Sequence, residues 1–182
     1  REVYPRIRKY REKYFEVEQE SEALVKPAQT IEQSNVEFPS SCGCLEDRHK
    51  RYLRKRGYDP TELELSWSVR GAGPVSRLDG MSFANRIIIP ICWDGRVVSF
   101  QARDISGLSD LRYIACPSDK EIIPHKHIIY RNQFPRYRDR VIVTEGIFDA
   151  WKFGDIAVAT FGVKYTHYQV SLLSKMFSKI AI

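Results

Sequence analysis

From residue 141 the chain alternates short apolar runs with helical stretches: "VIVTE", "FDAWKF", "IAVATF", "THYQVSLLSKMFSK" and a terminal "IAI". Near-continuous apolar strands offer no polar face to water, so both faces must be covered. Helices between successive strands do this in a parallel sheet. Ligands of such sheets sit beyond the carboxyl ends of the strands. The first run ends there on Glu145-Gly146, with Asp149 one helical turn later. On the residues alone two readings stand. One is a site for metal and phosphate, with Gly146 leaving room beside Glu145. The other is a strand-end turn whose glutamate faces water, with Asp149 favouring the start of a helix.

Upstream the pattern is different. "RIIIPICW", Asp94-Gly95 and "RVVSFQARD" predict a hairpin with a two-residue turn. Pro90 inside the first run predicts an edge position or a bulge. "RYIAC" and "HIIYR" read as further short strands. Before the hairpin, "CLEDRHKRYLRKRG" predicts a helix closed by Gly57, and Asp59-Pro60-Thr61-Glu62 has the cap, first-turn proline and acidic residue of another helix start. Residues 1 to 24 read as a charged helix, although "YFEVE" suits a strand equally. Residues 25 to 41, polar with two prolines, read as a linker.

The 182 residues suffice for one domain with a real core, and no apolar run is long enough to span a membrane. Net charge is +6, which favours a polyanionic partner. The excess is concentrated in "DRHKRYLRKRG" and in "YRNQFPRYRDR", where solvated surface is the plainer alternative. Four cysteines, at 42, 44, 92 and 116, form no framework of paired bridges and suit a reducing cytoplasm. Cys42-Gly43-Cys44 with His49 suggests zinc only weakly, because structural zinc sites use two separated ligand pairs. No zinc is expected, and Cys42 and Cys44 are expected to be solvent-facing thiols.

Taken in order, these stretches resemble the bacterial and phage-type DNA primases, whose polymerase core carries a TOPRIM fold. "YLRKRGYD" is similar to the segment that opens that core, and "NRIIIPICWDGRVVSFQARD" to its basic hairpin. "LRYIACPSD" is similar to the basic-tyrosine segment that follows, and "PHKHIIY" to the histidine-lysine element. "VIVTEGIFDA" resembles the TOPRIM glutamate motif, and "VATFGV" the next strand with its glycine turn. The resemblance runs from about residue 45 to the end.

The fold it implies is a basic α+β subdomain followed by a partial α/β TOPRIM subdomain with a Rossmann-like parallel sheet. The implied division is 1–41 as helical extension and linker, 42–138 as the basic subdomain and 139–182 as the first part of TOPRIM. Glu145 would be the catalytic acidic residue, holding Mg2+ or Mn2+ together with Asp149. Arg86, Arg103, Arg112, Tyr113 and Lys126 would line a basic groove for nucleic acid and nucleotide.

The implied function is synthesis of short RNA primers on a single-stranded DNA template from ribonucleoside triphosphates. A replicative helicase is the implied partner, in the cytoplasm of a bacterial or phage-infected cell. The family completes its metal site with an aspartate-x-aspartate after the third strand, and this sequence stops at Ile182 in that strand. It also shows no four-ligand zinc ribbon. An internal fragment, inactive alone, is therefore expected. Two rivals remain: another TOPRIM enzyme (a topoisomerase or nuclease), or a non-catalytic primase-like DNA-binding module. The basic hairpin upstream of Glu145 fits a primase better than a topoisomerase.

Overall fold

A computed structural model describes residues 36–130 and 139–182. The predicted helix of residues 1 to 24, the linker as far as residue 35, and most of the arginine run after Tyr130 lie outside the described residues. The fold is mixed α/β and divides into two compact units: among the described residues, 36–92 and 96–122 make up the first, and 93–95, 123–130 and 139–182 the second.

The first unit is an antiparallel five-stranded sheet with two helices. Its strands are β1 (Cys42–Gly43), β2 (Arg70–Ala72), β5 (Arg86–Trp93), β6 (Arg96–Asp104) and β7 (Tyr113–Ala115), in the order β1-β2-β5-β6-β7. A separate ribbon pairs β3 (Arg77–Leu78) with β4 (Met81–Ser82). Asp94 and Gly95 both have positive φ, 46° and 79°, which is the turn that Asp-Gly favours between twisted strands. Asp79-Gly80, at 48° and 78°, makes the same turn between β3 and β4. β5 is central in the sheet, yet Pro90 breaks no rung on its β2 side. The β2 register ends at Ile88, so Pro90 lies past the end of that neighbour.

The helices start as their caps dictate. In α1 (Asp47–Lys55) the Glu46 amide donates to His49 Nδ1 at 3.1 Å, and the helix ends at Arg56 before Gly57 (φ 82°). In α2 (Pro60–Trp67) the Asp59 carboxylate accepts from the Thr61 amide at 2.9 Å, with Pro60 in the first turn. Phe83, Ile88, Phe100, Ala102 and Cys116 form the core of this unit. Phe100 has its ring centroid 5.6 Å from those of both Phe38 and Phe83.

The second unit is the parallel sheet that the alternating rhythm predicts. β8 (Arg140–Thr144), α3 (Ile147–Phe153), β9 (Ala157–Ala159), α4 (His167–Met176) and β10 (Lys179–Ala181) follow in turn. The strand order is β10-β8-β9 with both pairs parallel, so β8 is central. Val141, Val143, Ile129, Val158, Leu173 and Phe177 form its core.

The stretch "HIIYR" is not a full strand. It begins as a 3-10 turn at His125–His127, and among its described residues only Tyr130 forms a bridge, antiparallel to Ala159. β9 is three residues long and already pairs with β8, which leaves little ladder to extend. That bridge, together with Gln169 Nε2 on the Ile128 carbonyl at 2.9 Å, joins residues 123–130 to the strands that follow. Residues 123–130 accordingly group with the parallel sheet in the second unit.

Candidate functional site

Glu145 stands at the carboxyl end of the central parallel strand, and Asp149 lies in the first turn of α3. Both are exposed. Gly146 between them is the helix cap, with φ −124° and ψ 152°, a conformation any residue adopts. Glycine is therefore not required there by backbone strain. A β-carbon at that position would stand 3.6 Å from Asp149 Oδ2 and near no other atom of the described residues. That is ordinary van der Waals contact, so a side chain there would meet the Asp149 carboxylate.

Several hydrogen bonds fix this turn. The Thr144 hydroxyl lies 3.0 Å from the Gly146 carbonyl and 3.1 Å from that of Val158. The loop after β9 donates back to it: the Thr160 amide reaches the Thr144 carbonyl at 3.1 Å, and the Gly162 amide reaches the Glu145 carbonyl at 2.6 Å. Beside the turn is a cavity of about 180 Å3, lined by Val143, Val170, Leu173 and Ile180 together with Glu145 and Thr160. Its apolar walls put low-dielectric surface next to one carboxylate.

The basic residues expected in a groove have different fates. Lys126 belongs to the second unit, and its ammonium lies on three backbone carbonyls of the loop after β9. Arg86 is not a groove residue. It is 3% exposed, and its guanidinium donates to Ser109 Oγ at 2.8 Å and the Leu111 carbonyl at 2.9 Å, with a longer contact of 3.4 Å to the Ala102 carbonyl. These bonds hold the connection from β6 to β7. Burial pulls the Arg86 pKa down and the neighbouring Asp104 charge pulls it back up. Asp104 secures the start of the same connection, accepting from Ser106 Oγ at 2.8 Å and the Gly107 amide at 2.8 Å. Burial raises its carboxyl, but these bonds and Arg86 together hold it below the usual value.

Arg103 and Tyr113 are brought together. They are cross-strand partners of β6 and β7, and the guanidinium carbon lies 4.7 Å from the ring centroid. Arg103 Nε donates to Tyr52 Oη at 3.0 Å, and Arg56 lies 5.7 Å from the Tyr52 ring centroid. Tyr52 on α1 and Arg56, the residue that ends it, thus join a basic and aromatic cluster beyond the residues that the resemblance assigns. Their signal was present in "YLRKRG", where the i, i+4 spacing predicts one helix face for both. Arg112 is exposed beside Tyr113. Burial raises the Tyr113 phenol pKa, opposed by Arg103.

The chemistry of the donors decides what metal could fit. Glu145 and Asp149, both exposed, offer only oxygen donors, the type that magnesium and manganese take. Among the described residues no group of three or more His, Cys, Asp or Glu side chains is arranged to hold a metal. His49 is already committed. Its Nδ1 accepts from Glu46, so its proton sits on Nε2, which donates to the Ala72 carbonyl at 3.2 Å. A β-carbon on Gly71 would lie 2.6 Å from that Nδ1, so glycine is what admits the imidazole. Cys44 is exposed, but Cys42 is half-buried in β1, and burial pushes its thiol up to about 11. Cys42 is thus not the solvent-facing thiol expected: β1 pairs with β2 and packs it against the core.

No protein-family model matches the chain, and no curated protein matches it. Among solved structures, the chain has the fold of bacterial primase catalytic cores. The similarity to the zinc-binding and RNA polymerase domains of the Aquifex aeolicus primase has a TM-score of 0.62 at 22% identity. It covers 74% of this chain and 42% of that one. A DnaG primase catalytic domain bound to ssDNA gives 0.61 at 21% identity, covering 74% and 52%. The E. coli primase catalytic core gives 0.60 at 22%, covering 73% and 53%. The chain spans about half the length of these structures. Among the described residues no helix is long and apolar enough to cross a membrane.

Proposed function

We propose that the chain is part of the RNA-polymerase core of a DNA primase, with a TOPRIM-type second unit, copying single-stranded DNA into short RNA primers. One observation carries this reading: two exposed carboxylates, Glu145 and Asp149, follow the carboxyl end of the central strand, in a fold shared with primase catalytic cores. Glu145 and Asp149 would hold a magnesium or manganese ion, which when bound supplies charge neutralisation for an attacking hydroxyl and a triphosphate. The protein's own part is to fix those carboxylates. Thr144, Thr160 and Gly162 do so by tying the turn to β9 and the loop after it.

Arg103 and Arg112 would take template phosphates, and Tyr113 or Tyr52 would stack on bases. That one similar structure is bound to ssDNA supports this assignment. Ribonucleoside triphosphates would be the second substrate and a replicative helicase the partner. The test is primer synthesis by the intact protein on single-stranded DNA with labelled ribonucleotides. Glu145→Gln keeps the shape but removes the charge, so primer yield should fall by roughly 100-fold or more with DNA binding unchanged. Normal yield from this variant at ordinary magnesium would refute the assignment.

A further inference from the structure

Lys126 does more for Glu145 than its distance in sequence suggests. We propose that Lys126 is a positioning residue: its ammonium pins the loop after β9 and, through one peptide group of that loop, the turn that carries Glu145. The consequence for metal holding rests on the reading of Glu145 given above, but the pin itself does not.

An ammonium has three N–H donors and no acceptor. Lys126 Nζ lies 3.2 Å from the Thr160 carbonyl, 3.1 Å from that of Phe161 and 3.0 Å from that of Lys164. Three donors meet three acceptors, so none remains for a phosphate while this arrangement holds. Turning three carbonyls of a short loop onto one point demands unusual backbone. Phe161 has φ +61° and Gly162 φ +130°, both in the left-handed region, which a bulky residue such as Phe rarely enters. The shared cation is what makes that conformation favourable.

The decisive group is the peptide between Phe161 and Gly162. Its oxygen accepts from Lys126, and its N–H donates to the Glu145 carbonyl at 2.6 Å. A peptide group is planar, so it cannot turn without losing both bonds together. The cation on the oxygen also polarises the group and strengthens its N–H as a donor. The anchor is itself secured. The Lys126 carbonyl accepts from Thr166 Oγ1 at 2.6 Å, and Gln169 Nε2 reaches the carbonyls of Ile128 and Thr160 at 2.9 and 3.1 Å. Gln169 is fully buried. Lys126 thus acts on Glu145 through the backbone, from within a closed network.

The experiment is amide hydrogen exchange by NMR on this chain and on Lys126→Met, which keeps the aliphatic stem. Gly162 exchange should accelerate about tenfold or more, while the β8–β9 ladder amides at Thr144 and Val158 stay protected. Unchanged Gly162 exchange in a folded Lys126→Met variant would overturn the proposal. A measurement on the unsubstituted chain covers the case in which that variant does not fold. Under reductive methylation with formaldehyde, Lys126 should react at least about tenfold more slowly than the exposed Lys152, and Mg-ATP should leave its rate unchanged. Rapid methylation of Lys126, or its protection by Mg-ATP, would instead make it a ligand contact and overturn the proposal. Neither readout needs primer synthesis, so failure of the pin and failure of the primase reading are told apart.

Discussion

Arg86 and Arg103 belong to the same hairpin, on β5 and β6, and meet opposite fates. Arg86 is sealed among Ser109, Leu111 and Ala102, where its charge holds the β6–β7 connection in shape. Arg103 lies half-exposed over Tyr113 with Tyr52 beside it, part of a cluster of cations and rings. The second unit repeats the contrast. Lys126 is turned inward onto carbonyls, while Glu145 and Asp149 are exposed. Sign and residue type do not separate a charge that builds the fold from one available for a ligand. Saturation by backbone carbonyls does.

Stability gives the largest expected effect. Arg86→Met should lower the unfolding free energy by about 3 kcal/mol, because it removes the donor to Ser109 and the Leu111 carbonyl and the positive charge beside Asp104. Arg103→Met should lower it by less than about 1 kcal/mol, as for other half-exposed charges. Urea unfolding of the two variants checks this directly, and equal losses would break the comparison.

Single-stranded DNA binding sharpens it from the other side. The affinity of the chain should fall with salt. Replacing Arg103 and Arg112 with Ala should flatten the log–log slope by roughly 0.7 for each phosphate no longer neutralised. A slope that the double variant leaves unchanged would reduce the exposed cluster to surface charge.

A smaller effect concerns His49. Burial holds its imidazole below the usual value, against the Ala72 hydrogen bond and the Glu46 charge, which raise it. The unfolded chain then takes up a proton near pH 6.5 before the folded one does. This contribution to stability is full above about pH 6.5 and is lost as pH falls through the lower folded value. Protonation would also end the acceptor role of Nδ1 toward the Glu46 amide. Urea midpoints at successive pH values should show the decline, and His49→Gln should remove it. A decline of equal size in that variant would assign it to other groups.

What could be read from the sequence was local. Asp94-Gly95 specifies its own turn, Asp59-Pro60-Thr61-Glu62 its own helix start, and the run from Val141 to Ile182 its own rhythm of strands and helices. Asp79-Gly80 and the Thr166-x-x-Gln169 capping pair carry equally local signals, of a turn and of a helix start. The carboxylate turn was legible because Glu145 ends an apolar strand. The fates of Arg86 and Lys126 were not, since the carbonyls that saturate them come from 16 to 38 positions away along the chain. Cys42 shows the same limit: its burial depends on β1 pairing with a strand near residue 72.

The central claim is that Glu145 and Asp149 form a site for a divalent cation, and paramagnetic broadening by Mn2+ tests it most directly. Trace Mn2+ added to the 15N-labelled chain should broaden the amides of Thr144 to Asp149 and of Thr160 to Gly162 first. The affinity should be weak, since only two carboxylates among the described residues serve the ion. Glu145→Gln should abolish the effect at those amides. Broadening centred elsewhere in the chain, or unchanged in the variant, would contradict the account.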